Sequence, residues 1–204
     1  MHFDNIKCIV LLISGLACMK TAAAQIPVEE ETHHKIVLEN QWVRVLEGNV
    51  PPNDTTPSHI HSANSLVVFL SRTGLGIRVA GQQPTVTPVA PGDIRYVNYG
   101  VKPITHIVWA QGDSMLRFLV VELKKPASVV DTNRCPIGPD PDLKLRLRQE
   151  QVSVYDWAPK AGQSATLPAA ACARMIIIPA TGAFTFYPPN TPIRTPTGCL
   201  LLQL

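Results

Sequence analysis

The sequence lacks the motifs and charge runs by which several common classes of protein are recognised. Its 18 Lys and Arg residues barely outnumber its 15 Asp and Glu residues and form no dense basic tract, so nucleic acid is a poor candidate partner. The phosphate-binding runs G-x-x-x-x-G-K and G-x-G-x-x-G are absent, as is the G-x-S-x-G turn of serine hydrolases. No two carboxylates stand out as an acid–base pair, because most acidic residues before residue 124 are scattered through turns and the cluster at residues 29–31 lies near the predicted mature terminus.

Long apolar runs are also missing, since no stretch approaches 18 consecutive apolar residues. Residues 8–19 (CIVLLISGLACM) are too short for a stable membrane span, and the small residues 22–24 follow them. These features are typical of a signal peptide over residues 1–24, and they predict a mature periplasmic or secreted chain that begins near Gln25 and has no membrane span. Lipoprotein processing at Cys18 is the alternative.

Closely spaced cysteines are absent as well. Without the leader the chain keeps Cys135, Cys172 and Cys199, an odd number for an oxidising compartment. No two of them have the spacing of a zinc knuckle or of a redox C-x-x-C, so we interpret them as structural. One disulfide and one remaining thiol fit this set, and the pairing stays open.

The sequence is rich in turn residues that separate short β-type runs. With 19 Pro and 12 Gly in 204 residues, long helices are disfavoured, and the length suits one domain with at most a smaller partner. Residues 51–54, 71–74 and 91–93 can each reverse the chain. Short strands at such intervals are typical of a β-sandwich or barrel. The predicted strands are 35–38, 42–46, 65–70, 75–79, 94–97, 106–109 and 116–123.

The composition changes after Leu123, where a stretch rich in Pro, Asp and Lys begins. We interpret residues 126–142 as a linker and residues 143–204 as a second β segment, which opens with the alternating run LKLRLR. This segment is too short for all the strands of a second barrel. We expect it to cover an edge or face of the first domain, or to pair with another subunit in a homodimer.

A weak internal repeat supports this interpretation. When residues 43–69 are laid over residues 152–178, at a shift of 109, strand, turn and strand correspond in order. Pro168 and Ala170 in the second copy stand where the first copy has two histidines. The second copy therefore keeps the hydrophobic framework and lacks the polar site.

Three histidines form the candidate metal site. His59 and His61 flank Ile60, and residues two apart in a strand point to the same face, so their imidazoles lie side by side. His106 follows 45 residues after His61, at the start of another β run. Two neighbouring histidines and a third across a barrel would give a metal three ligands and leave a fourth position open.

These residues resemble the two sequence motifs of cupins, which contain P-x-H-x-H, an apolar strand, Pro-Gly-Asp and a distal histidine. The resemblance covers roughly residues 33–123. It implies an all-β double-stranded β-helix barrel, here over residues 25–125, with a degenerate and partial cupin-like segment after it. It also implies that His59, His61 and His106 face into the barrel around a divalent metal.

The chain departs from the cupin pattern at two positions. Ser65 replaces the Glu that usually completes the first motif, and Ala110 replaces an Asn that usually follows the distal histidine. Without the carboxylate the site is more cationic and weaker for hard metals such as manganese. Imidazole suits several divalent transition metals, so zinc, iron, copper, nickel and manganese are not distinguished. A metal-free polar pocket is the alternative.

Other residues are assigned by their position in the predicted strands. We interpret His33 and His34 as surface residues, because neighbours in a strand point to opposite faces and cannot both enter one site. Arg95 follows the Pro-Gly-Asp turn, where it either binds a carboxylate or phosphate at the rim of a pocket or forms a surface ion pair. The further pocket candidates are Asn64, Ser65, Tyr96, Tyr99, Trp109 and Phe69, for whose aromatic members plain core is the alternative.

Two classes of function remain. The first is an extracytoplasmic cupin that binds a small molecule or metal in its histidine pocket without turnover. The second is a metal-dependent enzyme, namely a dioxygenase, isomerase or hydrolase that acts on a small organic substrate. The missing Glu and the lack of an obvious general base favour the first class.

Overall fold

The structure is a computed structural model that describes residues 25–124, 137, 140–159, 165–195 and 198–204. Within these ranges the one helical element is the 3-10 helix Val28–Glu30, and no helix among them is long and apolar enough to cross a membrane. The predicted signal peptide and most of the predicted linker lie outside the described residues.

Seventeen strands account for most of the described chain. Ten of them precede Lys124 and seven follow Asp142. The strands are β1 (Ile26–Pro27), β2 (His34–Glu39), β3 (Val43–Val50), β4 (His59–His61), β5 (Asn64–Phe69), β6 (Thr73–Val79), β7 (Thr85–Val89), β8 (Ile94–Asn98), β9 (Ile104–Gln111), β10 (Leu116–Leu123), β11 (Leu143–Arg148), β12 (Ser153–Trp157), β13 (Ala165–Leu167), β14 (Arg174–Ile178), β15 (Ala183–Tyr187), β16 (Ile193–Thr195) and β17 (Cys199–Gln203).

The first ten strands form two five-stranded sheets that face each other. Sheet A has the order β1-β4-β9-β6-β7 and sheet B has the order β2-β3-β10-β5-β8. All neighbours are antiparallel except β1 and β4. Apolar side chains from both sheets meet between them and form the interior of a barrel. This inner core includes Leu46, Val50, Phe69, Leu75, Val108, Phe118 and Val120.

The turn between β7 and β8 places the first residues of β8 beside the last residues of β5. Gly92 has a φ of 89°, a conformation that glycine adopts without the steric cost of a Cβ. The Asp93 carboxylate accepts a hydrogen bond from the Ala90 backbone N–H at 2.9 Å. Asp93 and Phe69 also share a backbone hydrogen bond at 2.9 Å, so the residues that follow Asp93 lie beside β5.

The C-terminal strands repeat the arrangement of sheet B. Sheet C has the order β11-β12-β17-β14-β15. Taken in this order, its strands correspond one by one to β2, β3, β10, β5 and β8 of sheet B. The small sheet D pairs β13 with β16, as β4 pairs with β9 in sheet A. The described chain has no C-terminal counterparts of β1, β6 and β7.

Sheet C packs against the outer face of sheet B. A single hydrophobic cluster joins the outward side chains of sheet B, such as Val45 and Val121, to Met175 and Leu202 of sheet C. Strand β10 is therefore apolar on both faces, because alternate residues point into the barrel and towards sheet C. The predicted all-β barrel with an additional C-terminal β segment is confirmed.

The strands stop at Leu123 and start again at Leu143, on either side of the predicted linker. The domain boundaries at residues 125 and 142 stay a prediction, since residues 125–136 lie outside the described part of the chain. Cys135 is among those residues. Cys172 takes part in a disulfide bond, and the buried Cys199 thiol faces the Trp157 carbonyl oxygen at 3.9 Å.

Candidate metal centre

Strands β4 and β9 bring three histidines together at the inner wall of sheet A. His59 and His61 are 0% and 4% exposed, so both imidazoles point into the barrel, as the two-residue spacing predicts. His106 is the direct partner of His59 in the antiparallel register. The Nε2 atoms of His59 and His106 lie 3.1 Å apart. The three predicted ligands therefore converge, whereas their role as ligands stays a prediction.

A fourth imidazole, that of His34, completes the cluster. It is 5% exposed, and its ring centroid lies 4.9 Å from that of His59 and 5.8 Å from that of His61. One ligand nitrogen from each of these three residues lies within 4.8 Å of the others. The interpretation of His34 as a surface residue is wrong, because its imidazole forms a buried group with His59 and His61, and His106 contacts the latter two.

A β-bulge explains how His34 enters the barrel. His34 pairs with Gly48 on β3, whose even-numbered residues face inwards, and the register then shifts between Ile36 and Leu38. The extra residue lets His34 point inwards while Leu38 packs on the outer face of sheet B. Strict alternation along β2 would place His34 and Leu38 on the same face, so without the bulge one of them is assigned to the wrong side of the sheet.

Glu31 holds His34 from behind. Its carboxylate is buried, and Oε2 lies 2.5 Å from His34 Nδ1 while Oε1 lies 2.7 Å from His33 Nδ1. His33 in turn reaches Asp54 Oδ2 at 3.0 Å. His33 is only partly exposed, so its assignment to the surface is also incomplete. As neighbours in sequence, the two histidines turn to opposite sides and Glu31 binds both.

These hydrogen bonds determine which nitrogens face the centre. His34 Nδ1–H donates to Glu31, and His59 Nδ1–H donates to the Pro57 carbonyl oxygen at 2.9 Å. In both residues Nε2 is then the unprotonated atom. Metal-binding histidines commonly donate their other N–H to a carboxylate or a backbone carbonyl in this way.

Burial keeps the inner imidazoles neutral. Desolvation lowers the pKa of His61 to about 2 and that of His106 to about 3, and the other histidines of the cluster lower both further. Burial also lowers the pKa of His59. The hydrogen bonds from His34 and His33 outweigh burial at Glu31 and lower its pKa to about 2, so it is a carboxylate. Neutral imidazole is the form that binds metals.

His61 gives the clearest sign that the cluster fits a metal. The described residues offer no hydrogen-bond partner to either of its nitrogens, and its Nδ1 is fully buried. An imidazole left unsatisfied inside a protein costs about 1–3 kcal/mol, and a metal bound by its lone pair would recover part of this cost. Two nitrogens at about 2.0–2.1 Å from one ion stand roughly 2.9–3.4 Å apart, which matches the 3.1 Å between His59 and His106.

A cavity of about 120 Å³ opens beside the histidines, between the two sheets of the barrel. Its polar lining comes from three of the four histidines (His59 lies behind them), Tyr99 and Arg95. The Tyr99 ring lies 5.5 Å from that of His61. The remaining lining is apolar and consists of Val67, Phe69, Leu75, Ile77, Val97, Val108, Phe118 and Val120.

Of the other pocket candidates, Arg95, Tyr99 and Phe69 line the cavity. The remaining four do not line it. Tyr96 packs on the outer face of sheet B, and Trp109 lies over Gly76 with its indole N–H donated to Gln111. They are directed outwards because inward and outward residues alternate along β8 and β9. Asn64 binds the Gly100 N–H, and the Ser65 hydroxyl donates to the Ala63 carbonyl oxygen.

His34 and Glu31 are site residues that the sequence patterns did not predict. The sequence contains a usable signal, because Glu31 and His34 are three residues apart at the start of a predicted strand. This strand and β3 are consecutive and pair as a hairpin, but nothing local indicates which face of the strand borders the barrel interior. His34 faces inwards where it pairs with Gly48, whose missing side chain leaves space for the Phe118 ring.

Two facing five-stranded sheets in this order form a β-barrel that places H-x-H on β4 opposite His106 on β9. No protein-family model matches the sequence, and a search of the curated proteins found no match.

Among solved structures, the chain is similar to a cupin domain from Bordetella pertussis at 22% identity, which covers 50% of this chain and 98% of that one with a TM-score of 0.41. An RmlC-like cupin from Methanocaldococcus jannaschii has 16% identity, 47% and 83% coverage and a TM-score of 0.38. A polyketide cyclase from Streptomyces resistomycificus has 22% identity, 49% and 70% coverage and a TM-score of 0.37.

Proposed function

We propose that this barrel binds one divalent transition metal through His34, His59, His61 and His106, and a small organic molecule in the adjoining cavity. The observation that carries the proposal is the buried group of His34, His59 and His61, whose ligand nitrogens lie within 4.8 Å of one another, with His106 Nε2 3.1 Å from His59 Nε2. Among the described residues, the buried Nδ1 of His61 has no hydrogen-bond partner. Four imidazoles form a nitrogen-rich site, which suits zinc, copper, nickel or iron. Manganese fits less well, because it prefers oxygen ligands.

Different residues of the barrel would position the metal ligands and surround the small molecule. Glu31 and the Pro57 carbonyl orient two imidazoles, while the apolar walls of the cavity keep bulk water from the centre. A bound metal would act there as a Lewis acid towards an oxygen or nitrogen atom of the ligand. Binding without turnover is the function that these features support best.

A metal-dependent reaction is the second candidate, and Tyr99 is the observation that favours it. Its ring lies beside His61 at the cavity, and burial raises the pKa of its phenol, which is therefore protonated at neutral pH. A phenol in this place can donate a proton or a hydrogen bond to a ligand held next to the histidines.

Metal analysis of tag-free protein tests the proposal. We expect protein incubated with Zn²⁺ and then dialysed to retain about one ion per chain, and isothermal titration to show a single high-affinity site. A matched variant, Gln82→His, adds an imidazole on an exposed turn and should leave this stoichiometry unchanged. Protein that retains no ion, in both the titration and the dialysis, would exclude the metal centre.

We also propose that the chain is exported after removal of residues 1–24, on the basis of its leader sequence. Expression in a Gram-negative bacterium should yield periplasmic protein whose mass corresponds to an N-terminus near Gln25. A lipid-modified N-terminus at Cys18 would support the lipoprotein alternative, and an intact leader in the cytoplasm would contradict export.

A further inference from the structure

In the part of the chain that the structure describes, Arg95 is the one arginine or lysine that lines the cavity beside the histidines. It stands on β8 opposite Val67, and its guanidinium carbon lies 5.2 Å from the centre of the Phe69 ring. Among the described residues no carboxylate lies within ion-pair distance of it, whereas Arg44, Arg117 and Arg146 all have acidic partners. The cavity therefore contains a cation without a counter-ion from the described protein.

The other residues that line the cavity determine which kind of ligand could bind to Arg95. Among the described residues no Asp or Glu lines the cavity, and the nearby Glu31 carboxylate is occupied by His33 and His34. An anion would meet no like charge there, and Arg95 would bind it more strongly than in water because the surroundings are apolar. A sugar or other polyol would lose water from many hydroxyl groups and find few partners.

Tyr99 gives the anionic group a second partner. Its side chain lines the same cavity as Arg95, and its ring lies 5.5 Å from that of His61. A phenol and a guanidinium in one cavity offer two kinds of donor to an anionic group held there. A planar carboxylate matches this arrangement, because arginine can bind both of its oxygens.

The size and lining of the cavity define the remainder of the ligand. Its volume of about 120 Å³ is comparable to that of cavities that hold one benzene-sized molecule. Val67, Leu75, Ile77, Val108 and Val120 offer this part of the ligand dispersion contacts and no hydrogen bonds.

From these features we infer that the cavity selects a small amphipathic monocarboxylate, with a compact aryl or branched alkyl body, and that Arg95 is the residue that recognises its carboxylate. This inference rests on the proposed function for the identity of the pocket, but carboxylate recognition by Arg95 does not require the metal. The two proposals therefore fail in different experiments.

Benzoate and benzamide are the probes that test it, since they share the same ring and differ in the charge of the planar head group. Binding of each probe to the chain from Gln25 onwards is measured by calorimetry or ligand-detected NMR. Each titration is done once after metal ions have been removed with a chelator and once in the presence of Zn²⁺. In the chelated protein we expect benzoate to bind at least about tenfold more tightly than benzamide. Equal affinities, or binding of neither probe, would overturn the inference.

Arg95→Gln identifies the residue responsible. It should abolish the preference for benzoate and leave the affinity for benzamide within about twofold, because the apolar walls are unchanged. Arg78→Gln is the matched control, since Arg78 lies on the exposed face of β6 while its neighbour Ile77 lines the cavity. An unchanged benzoate preference in folded Arg95→Gln would overturn the assignment to Arg95.

If Arg95→Gln does not fold, the comparison of benzoate with benzamide in the wild-type protein still decides whether the cavity selects a carboxylate. Zn²⁺ binding is measured on the same samples. Loss of metal binding with an intact benzoate preference would contradict the proposed metal centre alone, and metal binding without the preference would contradict this inference alone.

Discussion

Sheets B and C share a strand order, yet the histidine cluster lies in the barrel and the described residues of the C-terminal segment form no counterpart of it. Each sheet contributes one face to the common core, and the sequence shift of 109 that relates them places Arg174 where the barrel has Ser65. The Arg174 guanidinium donates to the carbonyl oxygens of Pro168 and Thr191, both at 2.7 Å. Pro168 itself stands in the place of His59.

The comparison shows that packing and site chemistry depend on different residues of one framework. The apolar positions that hold β3, β5 and β10 together recur in β12, β14 and β17. His59, His61 and His106 belong to the facing sheet A, whereas His34 lies on β2 of sheet B. Among the described residues, the small sheet D that stands in the place of sheet A in the C-terminal segment has two strands instead of five. A sheet can therefore keep its core while the opposite wall of the barrel, and the site on it, is lost.

The largest effect is expected from breaking the core that the two regions share. Leu202→Ala removes a fully buried side chain between sheets B and C and should lower the free energy of unfolding by about 2–5 kcal/mol. Leu145→Ala, at a position that is 45% exposed, is the control and should change it by less than about 0.5 kcal/mol. Urea unfolding measures both, and a separate transition for the C-terminal segment would contradict a common core.

The second prediction concerns variants that remove the histidine pair from the barrel or introduce it into the C-terminal segment. His59→Ala/His61→Ala should abolish the stabilisation that Zn²⁺ gives the wild-type protein, which is about 2.7 kcal/mol when the ion is at one hundred times its Kd. Pro168→His/Ala170→His places the same pair at the aligned C-terminal positions, and it should add no second metal site, because sheet D lacks the facing ligands. Thermal melts with and without Zn²⁺ measure both effects. Two ions per chain in the second variant would show that the framework alone can form the site.

The third prediction concerns Glu31, which orients His34. Glu31→Gln removes the negative charge behind the imidazole and should weaken Zn²⁺ binding by about 10–100-fold. Glu30→Gln makes the same chemical change at an exposed neighbour and is the matched control. Competition with a zinc indicator gives the affinities. If both variants bind Zn²⁺ like the wild type, His34 does not depend on Glu31.

The smallest effect is expected where the barrel has Glu122 and sheet C has Gln203. These residues are the register partners of Ser65 and Arg174 in the two sheets. Burial raises the pKa of Glu122, although Arg44 lies 3.3 Å away. At pH values between the unfolded and the folded pKa of Glu122, the folded chain binds more protons than the unfolded chain. The contribution of Glu122 to the free energy of unfolding is therefore largest at low pH and decreases as the pH rises through this range.

Glu122→Gln should therefore change stability by no more than about 1 kcal/mol at neutral pH. Relative to the wild type, the variant should become more stable as pH rises from below 4.5. Urea unfolding of both proteins between pH 4 and 8 gives this difference, with Gln203→Glu as the reciprocal variant. A difference that moves in the opposite direction would mean that the ion pair with Arg44 outweighs burial.

Much of the barrel could be predicted because its signals are local. Alternation and turn residues identify most of the strands, and the two-residue spacing places His59 and His61 on one face. His34 could not be placed in this way, because its inward direction depends on a bulge in β2 and on the register with β3. Likewise, alternation puts Arg95 and Tyr96 on opposite faces of β8 without saying which face borders the cavity.

The amino-acid sequence by itself determines that this chain forms short strands, that two of its histidines share a face and that its C-terminal part repeats an apolar framework. These properties follow from backbone geometry and from patterns over a few residues. Only the tertiary structure decides that His34 and His106 meet this pair, that Glu31 lies behind His34 and that Arg95 faces the cavity. His34, His106 and Arg95 reach these positions through strand pairing, and Glu31 follows because it lies three residues before His34.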